Sequence, residues 1–295
     1  MKIIFIGCVQ SSYCFLETLL KVPEAEVVGV VTRTASKFNS DFVSLESLAE
    51  KFKIPCFFAD KNSSEKLFDW LQDKAADIIY CFGWSYLLSE KLIKTAKLGG
   101  LGYHPAKLPA NRGRHPLIWT LVLGLNETAS TFFFLEEKAD SGDIISQEIV
   151  SVTEFDDAQS LYNKLLEVGK KQIVTFTKAL ASGNYSRIPQ DETKSNNWRK
   201  RSYKDGMIDW RISARGIYNL VRGLTRPYIG ASFIYNNQEI KVWKSEIVSS
   251  DVIYDNLEPG KVLKVNDAGI EIQCGLGVIR LLEFDSFNIK EGDYL

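Results

Sequence analysis

Short apolar runs alternate with amphipathic segments through the N-terminal third of the chain, and this alternation constrains the fold more than any other feature. Ile3–Ile6, Val27–Val31, Cys56–Phe58, Ile78–Cys81 and Leu101–Tyr103 read as strands. Ser11–Leu20, Leu45–Phe52, Glu65–Asp73 and Ser89–Ala96 read as helices between them. Val27–Val31 has no polar position, as a strand covered on both faces requires. A βαβα order of this kind predicts an α/β, Rossmann-like, mostly parallel and doubly wound sheet.

The pattern changes after Pro116. Leu117–Leu123 reads as a helix, but Ser130–Leu135 and Ile144–Val152 follow as strands with no helix between, which predicts mixed or antiparallel pairing at one sheet edge. Phe155–Leu180 is a long amphipathic helix. Pro189–Ser202 is polar and lacks apolar periodicity, so the linker is placed at 189–203, between a first domain at 1–188 and a second at 204–295. The second domain opens with a helix, Ala214–Leu224. Short strands follow at Ala231–Tyr235, Ile240–Trp243, Gly260–Val265, Ile270–Cys274 and Gly277–Leu282, with turns at Asn236–Asn237 and Asn266–Asp267. This spacing predicts a small β-barrel.

Composition narrows the chemistry. The formal net charge is −1, which gives no global argument for a nucleic-acid partner. The basic stretch Trp198–Arg199–Lys200–Arg201 reads either as a solvated segment or as a local anion contact. Five cysteines at 8, 14, 56, 81 and 274 show neither zinc spacing nor an even count, so reduced thiols, a cytoplasmic setting and no metal are expected. No run has the length of a membrane span. The first strand ends in Gly7–Cys8–Val9–Gln10–Ser11, which is not GxGxxG, and there is no Walker loop. A nicotinamide enzyme and a P-loop kinase are both disfavoured.

Both histidines lie in one broken loop, Gly102-Tyr103-His104-Pro105-Ala106-Lys107-Leu108-Pro109 followed by Asn111-Arg112-Gly113-Arg114-His115-Pro116. His104 directly follows a strand, where open parallel sheets bind their ligands. Asp140, in the turn Asp140-Ser141-Gly142-Asp143, follows another apolar run and pairs with His104 as a candidate acid–base couple. His115 reads as a supporting residue. Gly83-Trp84-Ser85-Tyr86-Leu87-Leu88 also follows a strand; it reads either as ordinary aromatic packing or as an apolar wall for a planar heterocycle.

Taken together, Phe82-Gly83-Trp84-Ser85-Tyr86-Leu87-Leu88, His104-Pro105-Ala106-Lys107-Leu108-Pro109, Arg112-Gly113, Ala139-Asp140-Ser141-Gly142-Asp143 and the tail segments Asp205–Trp210 and Val221–Ala231 carry a resemblance. The chain resembles the 10-formyltetrahydrofolate-dependent formyltransferase family over nearly its full length. The resemblance implies a Rossmann-like domain followed by a small OB-like barrel. It implies 10-formyltetrahydrofolate as co-substrate, held by Phe82 to Leu88 and Asp143. It implies His104 as proton shuttle, oriented by Asp140, and a substrate contacted by Tyr103, Pro105, Arg112, Gly113 and Arg114. The Arg-Gly-Arg and Thr-Arg-Pro-Tyr stretches look closest to the sugar-nucleotide N-formyltransferases of bacterial surface polysaccharide synthesis. The expected substrate is therefore a nucleotide-linked amino sugar, with no nucleic acid and no membrane. A homodimer is expected by analogy. Methionyl-tRNA formyltransferase, acting on charged initiator tRNA, is the nearest alternative. Formyl transfer to glycinamide ribonucleotide fits less well, because those enzymes generally lack the second domain. A folate- or nucleotide-binding homologue without turnover is the alternative of another class. One departure stands out: the family motif is Asn-x-His, and here the Asn position is Gly102. Asn111 is the candidate replacement donor, beside a backbone N–H or a bound water.

Overall fold

The computed structural model describes residues 1–35, 41–60, 63–250 and 257–295. They form two compact units that interleave in sequence. One comprises Met1–Pro116, Thr128–Val150 and Asn163–Trp198; the other comprises Leu117–Glu127, Ser151–Tyr162 and Arg199–Leu295. The last crossing, at Trp198–Arg199, falls inside the polar stretch 189–203.

The first unit is built on β1 (Lys2–Ile6), α1 (Gln10–Leu19), β2 (Glu26–Thr32), α2 (Glu46–Lys51), β3 (Cys56–Phe58), α3 (Ser64–Lys74), β4 (Ile78–Cys81), α4 (Glu90–Ile93) and β5 (Gly100–His104). Then come β6 (Arg112–Gly113), β7 (Glu127–Phe134), β8 (Ile144–Ser151), the part of α6 (Ala158–Ala181) from Asn163 onward and β9 (Asn197–Trp198), while α5 (Pro116–Val122) belongs to the second unit from Leu117. The seven-stranded sheet has the order β3-β2-β1-β4-β5-β7-β8. β3, β2, β1, β4 and β5 pair in parallel, and β7 runs antiparallel to β5. β7 runs antiparallel to β5 even though α5 lies between them in sequence, and no helix separates β7 from β8.

Both faces of the sheet are covered, as the unbroken apolar strands required. Alternation sends Ile3 and Phe5 of β1 to one side, where they meet Phe15, Leu16 and Leu19 of α1 and Ile173 and Phe176 of α6. Ile4 and Ile6 go to the other side, against Leu67 and Leu71 of α3 and Leu92 of α4. Ser89–Ala96, expected as a full helix, shortens to the four residues of α4. Only Leu92 and Ile93 of that helix are buried, so little packing supports a longer one.

The second unit adds α7 (Ala214–Leu224), β10 (Ala231–Tyr235), β11 (Gln238–Ser249), β12 (Val262–Asn266), β13 (Gly269–Gln273) and β14 (Val278–Phe284). Its antiparallel sheet has the order β10-β11-β14-β13-β12, an OB-like arrangement. Asn236 and Asn237 both take positive φ, 49° and 63°, in the two-residue turn between β10 and β11. Register shifts near Val242, Ser245 and Ile247 bend β11 along its length. Ser213 caps α7, its hydroxyl accepting the Gly216 N–H at 3.1 Å. The helix buries Ile217, Leu220, Val221 and Leu224 with Phe233, Val242 and Leu281 of the sheet.

Candidate active site

Strand order reverses between β1 and β4, with β2 and β3 on one side and β5 and β7 on the other. A crevice opens at the carboxyl ends of such a pair. The chain leaves β1 through Gly7 and β4 through Phe82–Gly83, and the two exits are stitched together. Phe82 N–H donates to the Ile6 carbonyl at 3.0 Å, and Cys8 N–H to the Gly83 carbonyl at 3.3 Å. The Ser12 hydroxyl donates to the Phe82 carbonyl at 2.5 Å. Gly83 has φ +71°, and a Cβ there would lie 2.3 Å from Val9 Cγ2 and 2.4 Å from Ser12 Oγ. Only glycine fits both demands.

Beyond Gly83 the chain becomes an apolar lip. Trp84 and Leu88 pack against the α3 side of the sheet. Tyr86 and Leu87 stand out at 38% and 75% exposure. Arg33 Nη1 donates to the Tyr86 hydroxyl at 3.0 Å and holds that ring. Ser85 lies between them. Phe82 is a correction to the expected ligand contacts. Its ring is wholly buried among Phe5, Phe15 and Phe132, and its N–H and C=O are already bonded.

β5 delivers His104. Its residues alternate between faces, so Gly102 and His104 share one face while Leu101 and Tyr103 share the other. Tyr103, expected against substrate, instead packs edge-on to Phe15 at 5.1 Å and beside Phe132 at 4.8 Å in the core. His104 is 5% exposed, and its Nε2 lies 2.8 Å from the Asn111 carbonyl oxygen. A carbonyl only accepts, so Nε2 carries the proton there. Nδ1 is 3.7 Å from Asp140 Oδ2, too far for a hydrogen bond but within ion-pair reach. Asp140 is itself aimed by the Gly113 N–H, which donates to Oδ2 at 2.9 Å. The sequence thus brings His104, Asn111, Gly113 and Asp140 together, but orientation of the imidazole comes from the Asn111 main chain as well as from Asp140. Asn111 and Asp140 hold positive φ, 65° and 56°. Such backbone persists for non-glycine residues where surrounding bonds over-determine it.

Those bonds come largely from the stretch read as a linker. β6 and β9 pair in parallel, Arg112 with Asn197 and Gly113 with Trp198. Asn196 Oδ1 accepts the Asn111 N–H at 2.7 Å. Gln190 Nε2 donates to the carbonyls of Asp140 and Gly142 at 2.9 and 2.7 Å. Arg112 is a second correction. Expected at the sugar or its phosphates, it is 1% exposed and forks onto Gln190 and Glu192, with Arg112 Nη2 2.7 Å from Glu192 Oε1. Arg112 first, and Lys138 second, hold the Glu192 carboxyl down at about 2. Gln190, Glu192 and Asn196 were not singled out in the sequence. The available signal was the need of a buried arginine for an acidic partner.

The remaining expected residues separate. Arg114 is exposed, and among the described residues its guanidinium has no partner. Pro105 accepts the Thr128 hydroxyl at 3.2 Å through its carbonyl. Asp143, expected at the cofactor, is paired with Arg187 at 3.0 Å. The basic stretch after Trp198 is engaged within the second unit: Arg199 pairs with Asp205, and Arg201 lies 4.7 Å over Trp119.

The place of the missing Asn is filled. Gly102 lies opposite Phe133 in the β5–β7 ladder. A Cβ on Gly102 would come 2.7 Å from Phe133 Cζ and 2.9 Å from Leu135 Cδ2. Phe133 and Leu135 belong to a small apolar cluster with Leu108 and Ile144. The Asn111 backbone is occupied at both N–H and C=O, so any donor role for this residue rests on its side-chain amide.

Residues 1–177 match the family described as Formyl transferase, and residues 200–290 match Formyl transferase, C-terminal domain. The bifunctional polymyxin resistance protein ArnA of Wigglesworthia glossinidia brevipalpis is 33% identical over 268 residues, covering 90% of this chain and 40% of that protein. The chain therefore spans well under half the length of that curated relative. An N-formyltransferase of Helicobacter canadensis, solved with folinic acid and dTDP-3-aminofucose, superposes with a TM-score of 0.72 at 17% identity, covering 95% of this chain and 99% of that one. A 4-N formyltransferase of Francisella tularensis gives 0.65 at 21% identity, covering 82% and 96%.

Proposed function

The chain belongs to the formyl transferase family, and from that premise we propose that it moves a formyl group from 10-formyltetrahydrofolate to the primary amine of a nucleotide-linked amino sugar. The observation that carries this reading is the His104–Asp140 pair, 3.7 Å apart beside the carboxyl end of β5. The ligands of the Helicobacter relative and the ArnA likeness support the sugar-nucleotide class.

The residues present suit the folate. Gly7 and Gly83, where the chain leaves β1 and β4, have Cβ positions blocked by Val9, Ser12 and Phe82, so both turns stay bare of side chain. Tyr86 and Leu87 offer apolar surface to a flat ring. When bound, the folate supplies the formyl group on N10.

The protein's part is proton handling and orientation. Net transfer moves one proton from the amine nitrogen to the departing N10 nitrogen. With Nε2–H fixed on the Asn111 carbonyl, the lone pair of His104 lies at Nδ1, on the side of Asp140 Oδ2. An amine entering that side meets the Nδ1 lone pair, which takes its proton as the new amide bond forms, while the Asp140 carboxylate steadies the imidazolium. The same imidazole then returns a proton to N10. Arg114 is exposed, and among the described residues its guanidinium has no partner, which supports a contact with the diphosphate. The Asn111 side chain is our candidate for the donor that Gly102 lacks. The free cysteines fit a cytoplasmic setting.

The test is turnover. The chain is incubated with 10-formyltetrahydrofolate and a panel of UDP- and dTDP-linked amino sugars, with charged initiator tRNA in parallel, and products are read by mass gain of one formyl group. Product on tRNA alone would overturn the reading. Tight folate binding with no product on any amine would favour the binding homologue, the reading that Gly102 supports.

A further inference from the structure

The imidazole of His104 has two acceptors beside it, and they favour different tautomers. The Asn111 carbonyl oxygen lies 2.8 Å from Nε2, and Asp140 Oδ2 lies 3.7 Å from Nδ1. A neutral ring with its proton on Nε2 donates to Asn111 and keeps a lone pair at Nδ1. A neutral ring with its proton on Nδ1 donates toward Asp140 and has no base on that side. The carboxylate is the stronger acceptor of the two. The Nε2–H form therefore persists only while the Asn111 carbonyl is held against the ring.

One residue holds it from both sides. Asn196 Oδ1 accepts the Asn111 N–H at 2.7 Å, and the Asn196 carbonyl accepts the Arg112 N–H at 3.0 Å. The first bond fixes the peptide plane before Asn111. The second fixes the plane after it, the one whose carbonyl meets His104. Between two fixed planes Asn111 stays at φ +65°. A non-glycine residue released from such a grip relaxes toward negative φ and turns the two planes against each other. Asp140 is held separately, by the Gly113 N–H on Oδ2 and by Gln190 Nε2 on its carbonyl. Loss of the Asn196 side chain thus frees one acceptor of the ring and leaves the other in place. Asn196 is itself exposed, so core packing does not account for its side chain.

We propose that Asn196 is a positioning residue that selects the tautomer of His104, keeping the proton on Nε2 and the lone pair on Nδ1, on the Asp140 side. Its effect on turnover rests on the transfer reading, while the tautomer itself is read without substrate.

The chain has two histidines, so 15N NMR of histidine-labelled full-length protein resolves each ring, and His104→Gln identifies the His104 signals. Spectra are taken at a pH where both rings are neutral. Wild type should show His104 as Nε2–H. Asn196→Ala should move the tautomer ratio toward Nδ1–H by about tenfold, the net worth of one hydrogen bond, with Tm within about 4 °C of wild type. Asn196→Asp keeps an oxygen for the Asn111 N–H and should return the wild-type pattern. Glu192→Gln loosens Arg112 but leaves both Asn196 bonds, so it should lower Tm with the tautomer unchanged. In formyl transfer, Asn196→Ala should lower kcat by at least about tenfold with KM within about twofold. A wild-type ring found as Nδ1–H overturns the proposal, and so does an Asn196→Ala ring that stays Nε2–H. Equal loss of the tautomer in Glu192→Gln would mark general loosening and overturn it too, as would a shifted tautomer with unchanged kcat. A wild type inactive on every amine refutes the transfer reading instead, and the spectra alone then decide the role of Asn196.

Discussion

Gly102→Asn returns a side-chain donor to β5, two residues before His104, and the structure says it will not be accommodated. The new Cβ alone would lie 2.7 Å from Phe133 Cζ, about 0.7 Å inside the 3.4 Å at which ordinary contact begins. Phe133 is 3% exposed and has little room to retreat. Overpacking of this kind costs about 1–3 kcal/mol. An amide pushed into the apolar cluster without partners adds about 1–3 kcal/mol more. The expected outcome is a loss of about 2–6 kcal/mol, or about 4–20 °C in Tm, with no gain in rate. Gly102→Asn combined with Phe133→Ala removes the obstructing ring. If an oxyanion donor is what the site lacks, the double variant gains about 100- to 1,000-fold in turnover per folded molecule. The assay is formyl transfer alongside a thermal melt. A single variant that melts within about 2 °C of the parent would refute the steric argument. A double variant that folds but gains nothing would show that another donor already does the work.

Other outcomes follow from the same geometry. His104→Gln should lower turnover by about 100- to 10,000-fold while the melt stays within about 2 °C, and retained activity would remove the imidazole from the chemistry. Gly83→Ala forces a Cβ onto Val9 and Ser12 at φ +71°, so it should destabilise by about 1–3 kcal/mol and weaken folate binding measured by titration. Glu192→Gln should lower Tm at neutral pH by loosening Arg112. The wild-type Glu192 carboxyl sits at about 2 instead of the ordinary 4.5, because Arg112 and Lys138 bond its ionised form. Its contribution is therefore complete above pH 4.5 and fades as pH falls toward 2. The Tm gap between wild type and variant should close over that window, and a gap that stays constant from neutral pH to pH 2 would contradict the assignment.

Much of the architecture was legible because local periodicity and global packing agree. Ile78–Cys81, Ala214–Leu224 and Ala231–Tyr235 read from the sequence with the bounds found in the structure. His104 and Asp140 stand out in the sequence as candidates because each closes an apolar run with a polar turn. The supporting wall was not. Gln190, Glu192 and Asn196 lie in a polar stretch without periodicity, and their role is to bond groups about 50 to 85 residues away in sequence. Periodicity reports which face an element buries and is silent about a segment that works through side-chain hydrogen bonds. Arg112 misled for a related reason: a guanidinium in a polar loop suits a phosphate and an internal carboxylate equally well until its burial is known. Tyr103 departs from the expected substrate contact because strand alternation puts it on the opposite face of β5 from His104.

The ties from residues 190–198 to Asn111, Arg112, Gly113 and Asp140 bear on how the protein can be divided. A fragment ending at Ile188, the boundary that composition suggests, would leave Arg112 deep in the protein with no acid to face and would free the Asn111 main chain that aims the imidazole. The smallest piece able to carry an intact His104 pocket has to run at least through Trp198, whose backbone pairs with Gly113. Insertions would follow the same rule: a stretch that looks by composition like a tolerant tether would behave toward them like a strand of the core.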